Sequence, residues 1–160
     1  MSSKSRSPRS QRFNPGSDDF HKEDFPFYWL NQVHGRYSAA VEKALKKVNL
    51  DIPRWRILMT LKEEGTCSVS EIALHAIAKL PTVTKIIQRM KQDGLVDTRV
   101  RSDDGRVTEV MITEKGLDAV QDIRFATRDL FKQSFKGLTE AKIQRLNKLL
   151  EELFHNLPEH

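Results

Sequence analysis

Apolar side chains recur at spacings of three and four residues along most of the chain, and this period predicts a mainly helical protein. Proline marks two helix starts, because Pro53 and Pro81 lack only an N–H that a first helical turn leaves unbonded anyway. Asn49, Gly65 and Gly94 follow apolar runs and are placed to end helices. We therefore expect six helices, which begin near residues 25, 53, 68, 81, 113 and 139.

The third of these helices begins with a recognisable cap. Ser68 and Glu71 have the S-x-x-E spacing of a capping box, in which the hydroxyl accepts from a free backbone N–H while the carboxylate reaches back. Its candidate buried side chains are Ile72, Ala73 and Ile77. A capped short helix, a tight turn and a second short helix form the helix-turn-helix pattern.

Just after this pair, the period changes from helical to a two-residue alternation. Residues 95–101 and 107–112 are rich in β-forming side chains, and the turn between them contains Asp104-Gly105, a strong hairpin signal. A helix-turn-helix followed by a hairpin is a winged helix-turn-helix. The fold class is therefore mainly α with a small β-hairpin wing.

Charge is unevenly distributed along the chain. Residues 1–12 carry four basic side chains and no acid, and the rest of the chain has 23 basic against 22 acidic residues. Between residues 79 and 106, seven bases accompany four acids, so the excess positive charge lies on the second short helix and the hairpin. Residues 1–22 lack apolar periodicity, and we expect a disordered, solvated basic tail, with an arm that contacts phosphates as the alternative.

The second helix of a helix-turn-helix lies in the major groove of DNA with its N-terminal residues nearest the bases. Its polar face here carries hydroxyl, amide and guanidinium groups that suit bases and phosphates, and a basic hairpin reaches the minor groove or the backbone. Each face alone would be ordinary solvated surface, and their occurrence together in this order favours binding to double-stranded DNA. The candidate residues are Thr82, Thr84, Lys85, Gln88, Arg89, Arg99, Arg101 and Arg106.

Together these segments resemble the MarR family of bacterial and archaeal winged-helix transcriptional regulators. The likeness in layout extends from about residue 25 to residue 157. The matching segments are SVSEIA at 68–73, TVTKII at 82–87, RMKQDGLV at 89–96, DDGR at 103–106 and ITEKG at 112–116.

The resemblance implies a homodimer in which the first helix and the last two helices of each subunit interlock. It divides the chain into a tail, 1–22, and one MarR-like domain, 23–160. The winged-helix part is then 50–113, and the helical dimerisation part is 25–48 with 114–157. Two winged helices would meet half-sites about one helical turn apart on a pseudo-palindromic operator.

The resemblance also adds two residues to the candidate DNA site, Ser68 and Asp104. The family's D-x-R wing motif falls on Asp104 and Arg106, and its Asp orients an Arg that enters the minor groove. Gly105 stands where members often carry a second Arg, so Arg106 is the candidate for insertion.

Members of the family often bind a small anionic or aromatic ligand between the dimerisation and DNA-binding parts, and the ligand shifts the population of DNA-competent forms. Aromatic walls with one cation suit an aromatic acid or its CoA thioester. The alternative is that Tyr37 and Trp55 are core residues and Arg36 is a surface charge. The candidate ligand-binding residues are Trp29, Gln32, His34, Arg36, Tyr37, Trp55 and Met59.

The expected function is thus a ligand-responsive transcriptional repressor, with a winged-helix protein-interaction module that has no ligand response as the alternative. The sequence shows no Gly-rich phosphate loop and no nucleophile elbow, so we expect neither an enzyme nor a cofactor. Its five histidines are scattered without metal-ligand spacing, so we expect no metal site. The lone Cys67, the absence of a long apolar run and the lack of a secretory signal lead us to expect a cytoplasmic protein with no membrane partner.

Overall fold

The computed structural model describes residues 11–76 and 78–158. The expected core residue Ile77 and the first ten residues of the predicted basic tail lie outside this part of the chain. The helices are α1 (Pro26–Lys46), α2 (Ile52–Glu64), α3 (Val69–His75), α4 (Leu80–Gln92), α5 (Glu114–Ser134) and α6 (Glu140–His155), with a short 3₁₀ turn at Lys22–Asp24. The strands are β1 (Cys67–Ser68), β2 (Val96–Val100) and β3 (Thr108–Ile112).

The mainly helical fold with a small hairpin wing is confirmed. The hairpin of β2 and β3 pairs in the register that sets Thr98 opposite Val110. The sequence did not predict β1, which pairs antiparallel with β3 and makes a three-stranded sheet in the order β1-β3-β2. The sheet joins the wing to the start of α3, because β1 leads directly into that helix.

Short polar side chains cap several helix starts, of which the sequence indicated Ser68 and Thr113 but not Asp51, and residues with positive φ follow several helix ends. The Asp51 carboxylate accepts from the Arg54 N–H at 2.9 Å at the start of α2, and the Thr113 hydroxyl accepts from the Gly116 N–H at 3.0 Å at the start of α5. Gly94 follows α4 with a φ of 75°, which glycine adopts without strain. The chain therefore leaves α4 sharply and enters β2.

The core lies where α1, α2, α4, α5 and the sheet meet. Leu45, Leu58, Met90, Val110 and Ile123, one from each of these elements, are at most 2% exposed. Ile72 and Ala73 of α3, which the sequence predicted to be buried, also belong to this core, since they are 1% and 7% exposed. The DNA-reading candidates are thus mounted on elements that share one packed interior.

Residues 11–21 form turns against the start of α1. The Arg12 guanidinium lies 2.7 Å from the Asp24 carboxylate, and the Arg12 carbonyl accepts from the His21 N–H at 2.8 Å. Phe20 and Phe25 stack edge to face with ring centroids 5.7 Å apart. That the whole segment 1–22 is disordered in solution stays a prediction.

The last helix, α6, contributes no buried residue. Its apolar stripe, with Leu146 and Leu149 each 48% exposed, faces the first half of α1, where Trp29 and Val33 are 52% and 63% exposed. The two helices line an apolar groove of about 540 Å³. No helix in the described residues combines the length and the apolarity needed to cross a membrane.

Candidate nucleic-acid interface

The start of α3 is fixed by the capping box that its sequence predicted. The Glu71 carboxylate accepts from the Ser68 backbone N–H at 2.6 Å and from the Ser68 hydroxyl at 2.7 Å, while that hydroxyl accepts from the Glu71 N–H at 3.2 Å. The bond from the backbone N–H, followed by the one from the hydroxyl, lowers the pKa of the Glu71 carboxyl. Ser68 is 8% exposed, so its hydroxyl serves the helix start, and a contact with DNA stays a prediction.

The helix α4 is sharply two-faced. Val83, Ile87 and Met90 are at most 3% exposed and bind the helix to the core. The opposite face is polar, and Thr84 on its edge donates its hydroxyl back to the Leu80 carbonyl at 2.9 Å. The candidate side chains that lie exposed on α4 are Thr82, Lys85, Gln88 and Arg89. This face is therefore available to a major groove, as a helix-turn-helix requires.

Polar contacts fix the C-terminal end of α4 in place. Asp93 lies 3.5 Å from the Arg54 guanidinium of α2, and its carbonyl accepts from the Lys115 ammonium of α5 at 2.7 Å. Lys91 donates to the Thr98 hydroxyl of β2 at 2.7 Å and lies 3.4 Å from the Asp97 carboxylate. These contacts set the angle of α4 relative to both the hairpin and the long helix.

The tip of the hairpin carries the D-x-R pair. The Asp104 carboxylate accepts from Arg106 Nε at 3.0 Å and from Nη2 at 3.3 Å, and also from the Arg106 backbone N–H at 3.1 Å. The bonds from the Arg106 side chain and then from its backbone lower the pKa of the Asp104 carboxyl. Because the Arg106 side chain is 91% exposed, its guanidinium is oriented by one carboxylate and still open to a partner.

The other two wing arginines share a carboxylate that sequence reasoning missed. Glu109 on β3 accepts from Arg99 Nε at 2.7 Å and from Arg101 Nε at 3.0 Å. The strand register sets Glu109 directly opposite Arg99, and opposite charges at such positions stabilise a sheet. Glu109 could have been found from the register of the hairpin, which sets it opposite Arg99. The Asp-Gly turn in the sequence did not define that register.

A groove of about 510 Å³ lies between the helix pair and the wing. Thr84, Gln88 and Lys91 from α4 line one side of it, and Arg101 and Arg106 from the wing line the other. The structure thus brings predicted residues from the helix and from the hairpin to one concave, basic surface. Arg99 lies on the wing beyond this groove.

The candidate effector residues divide into two groups. Tyr37 and Trp55 both lie close to Phe131 of α5, with ring centroids 6.4 and 6.2 Å from it. These three side chains and Met59 pack against the core. Burial raises the pKa of the Tyr37 hydroxyl, and the positive charge of Arg56 acts in the opposite direction. Phe131 and Arg56 were not among the predicted residues, because only the packing of α5 and α2 against α1 brings them to Tyr37.

The remaining effector candidates all lie on α1, on the N-terminal side of Tyr37 in the chain. Gln32, His34 and Arg36 are exposed. Trp29 lines the groove beside α6 and donates its indole N–H to the Glu23 carbonyl at 2.9 Å. That these residues bind a ligand stays a prediction.

Cys67 is buried in β1 at 5% exposure. Burial, followed by the charges of Glu71 and Glu64, raises the pKa of its thiol. The thiol is therefore held in its protonated form, which is the unreactive one.

A helix pair with an exposed polar second helix, next to a basic hairpin on the same groove, defines a winged-helix DNA-binding protein. Comparison with known proteins agrees with this class. The MarR family model matches residues 50–108. The chain is 61% identical over 144 residues to the HTH-type transcriptional repressor IacR of Pseudomonas putida, a match that covers 90% of this chain and 86% of that one. The chain belongs to the MarR family of transcriptional regulators.

Solved structures show the same fold. A MarR family regulator from Silicibacter pomeroyi superposes with a TM-score of 0.77 at 22% identity, covering 88% of this chain and 94% of its own. NadR in complex with 4-hydroxyphenylacetate superposes with a TM-score of 0.70 at 27% identity, covering 78% of this chain and 88% of its own.

Proposed function

We propose that this regulator is a homodimeric repressor that binds a pseudo-palindromic operator and leaves it when a small aromatic carboxylate binds. The observation that carries the DNA-binding part is the groove that Gln88 of α4 and Arg106 of the wing line together. The name of the Pseudomonas putida relative, a repressor, supports the sign of regulation. The protein would act by binding alone, without catalysis, and in the cytoplasm, where its proposed DNA partner lies.

Each part of the interface has a proposed role. The exposed face of α4, with Thr82, Lys85, Gln88 and Arg89, would read the major groove, and Arg106 would enter the minor groove under the control of Asp104. Protein that makes several phosphate contacts releases counterions on binding, so its affinity falls steeply as the salt concentration rises.

The experiment that tests this role is fluorescence anisotropy with a duplex that the full chain itself selects from random-sequence DNA. We expect tight binding at low salt, and a loss of roughly tenfold or more between 50 and 200 mM KCl. A chain that enriches no sequence, or that binds the selected duplex no better than a scrambled one, would show that it is not a sequence-specific regulator.

The dimer is proposed from the apolar surface that a single protomer leaves open. The α1–α6 groove exposes Trp29, Val33, Leu146 and Leu149, and a contiguous apolar patch of this kind marks an interaction site. A second copy of the chain would cover this groove with its own α1 and α6, since a two-fold interface joins the same surface patch of both subunits. Sedimentation equilibrium on the full chain should give twice the protomer mass.

The effector site is proposed at the aromatic cluster of Tyr37, Trp55 and Phe131, with Arg56 as the cation. Aromatic rings beside a single positive charge suit an aromatic carboxylate or its CoA thioester. The structure of NadR with 4-hydroxyphenylacetate supports an effector of this chemical class. A ligand that binds here would contact α1, α2 and α5 together, and α2 carries the Arg54 contact to the end of α4.

The matched variants Arg56→Gln and Arg36→Gln test which cation serves the effector. We expect 4-hydroxyphenylacetate to raise the melting temperature of the wild-type chain and of Arg36→Gln, but not of Arg56→Gln, because binding to the folded state stabilises it. The opposite pattern would move the site to the exposed face of α1. Acetate serves as the control for a carboxylate without a ring.

A further inference from the structure

Glu109 is an acid on the hairpin that we propose contacts DNA, and it pairs with two arginines of that hairpin. Its side chain is 14% exposed, while those of the two arginines that it pairs with, Arg99 and Arg101, are 62% and 37% exposed. Each carboxylate oxygen accepts from one arginine, Oε2 from Arg99 and Oε1 from Arg101. The acid is thus enclosed by the cations that it binds.

This arrangement does two physical things to the arginines. It fixes the direction of both guanidinium planes, because each is held through its Nε, and the remaining N–H donors of each fork stay available for a phosphate oxygen. It also cancels half of their combined charge close to the surface where DNA would lie. At the hairpin tip, Asp104 likewise orients the guanidinium of a single arginine, Arg106.

We propose that Glu109 is a specificity-determining positioning residue of the wing. It holds Arg99 and Arg101 in one geometry and at reduced charge, so that they contribute fully only on DNA whose phosphates fit that geometry. This inference rests on the proposed DNA binding by the wing. The role of Glu109 is to help the wing discriminate between operator and other DNA, whereas DNA binding itself comes from the arginines.

The physical reason lies in the two sources of affinity. Binding to arbitrary DNA comes almost entirely from phosphate neutralisation and counterion release, so it rises with every arginine that is free to find a phosphate. Binding to the operator depends on groups that are already oriented. Freeing Arg99 and Arg101 should therefore strengthen binding to arbitrary DNA more than binding to the operator.

Three variants separate positioning from charge. Glu109→Gln removes the charge and weakens the paired contact. Glu109→Asp keeps the charge, but its side chain is one methylene too short to reach both arginines. Asp103→Asn removes one negative charge from the exposed turn of the same wing, where Asp103 acts on Arg101 only through its charge.

The test measures anisotropy for each variant on the selected duplex and on a scrambled duplex of the same composition, over a series of KCl concentrations. We expect Glu109→Gln and Glu109→Asp to bind the scrambled duplex about three- to tenfold more tightly, with a salt slope steeper by about 1, and the selected duplex within about twofold of wild type. Asp103→Asn should shift both duplexes by the same factor.

Two results would overturn the proposal. Glu109→Gln could shift both duplexes equally, as Asp103→Asn is expected to do, or Glu109→Asp could match wild type on both, which would reduce the role of Glu109 to its charge. Melting curves by circular dichroism establish whether each variant is folded. If Glu109→Gln does not fold, the binding data for Glu109→Asp alone test the proposal. A wild-type chain that selects no sequence would contradict the proposed function itself. An unchanged ratio of the affinities for the selected and the scrambled duplex in the Glu109 variants would contradict only the role of Glu109.

Discussion

Gly116 lies where the start of α5 contacts Leu95, in the link between α4 and β2. A substitution there tests quantitatively how tightly α5 packs against that link. Gly116 is buried in the first turn of α5. A Cβ placed on it would overlap the Leu95 carbonyl oxygen and lie 2.7 Å from Ile112 Cγ1. Carbon atoms in good contact are about 3.5–4.0 Å apart, so Gly116→Ala requires a shift of about 1 Å in the backbone at Leu95.

The cost follows from what that shift disturbs. Overpacking a tight site costs about 1–3 kcal/mol. The Leu95 carbonyl also accepts from the Thr113 N–H at 3.1 Å, a bond worth about 0.5–1.5 kcal/mol net. Alanine regains about 1 kcal/mol through its helix propensity. We therefore expect Gly116→Ala to lose about 2 kcal/mol of unfolding free energy, or about 4–8 °C in melting temperature for a chain of this size.

The matched control is Gly35→Ala, the same change in the middle of α1. A Cβ at Gly35 meets nothing within 4 Å, so only the propensity gain remains, about 0.5–1 kcal/mol of added stability. Both variants are unfolded in urea at one fixed protomer concentration, since association changes apparent stability. A Gly116→Ala chain as stable as Gly35→Ala would refute the tight contact between α5 and Leu95.

The helix cap, the fall of stability at acid pH and the dimer can each be tested by a single substitution. Ser68→Ala should lose about 1 kcal/mol of unfolding free energy in urea, because the N-cap of α3 is removed; an unchanged midpoint would show that the cap is idle. The pKa of Glu71 is lowered in the folded chain from an ordinary value of 4.5, so its stabilising effect is present above about pH 4.5 and lost as the pH falls through the lower folded value. Glu71→Gln should therefore be less stable than wild type at pH 7 in thermal melts, and the difference in melting temperature should shrink as the pH falls below 4.5; a difference that does not change with pH would show that the Glu71 carboxylate does not stabilise the fold. Leu146→Glu should halve the sedimenting mass, and Lys148→Glu, at a residue of α6 that does not line the α1–α6 groove, should leave the mass unchanged. A Leu146→Glu chain that stays dimeric would show that this groove is not the interface.

Local chemistry made the helix ends and the hairpin predictable from the sequence. The capping box of α3 needs only Ser68 and Glu71, three residues apart, and the hairpin needs only an Asp-Gly turn between two alternating runs. Signals of this kind depend on neighbours in the chain, so they survive without knowledge of the tertiary structure.

Features that depend on distant parts of the chain could not be predicted in the same way. Strand β1 has two residues, too few to show alternation, and exists because β3 pairs with it. Phe131 joins Tyr37 and Trp55 only through the packing of α5 on α1 and α2. Glu109 became visible as the partner of two arginines once the register was known.

The proposed function depends above all on one contact, that of Arg106, held by Asp104 on the exposed wing, with operator DNA. The most direct measurement is the affinity of Arg106→Ala for the selected duplex at 150 mM KCl, next to Arg128→Ala, which removes an exposed guanidinium from α5. We expect Arg106→Ala to bind about tenfold or more weakly while sedimenting as wild type does, and Arg128→Ala to bind as wild type. An Arg106→Ala chain that binds the duplex as tightly as Arg128→Ala would show that Arg106 makes no contact with the operator.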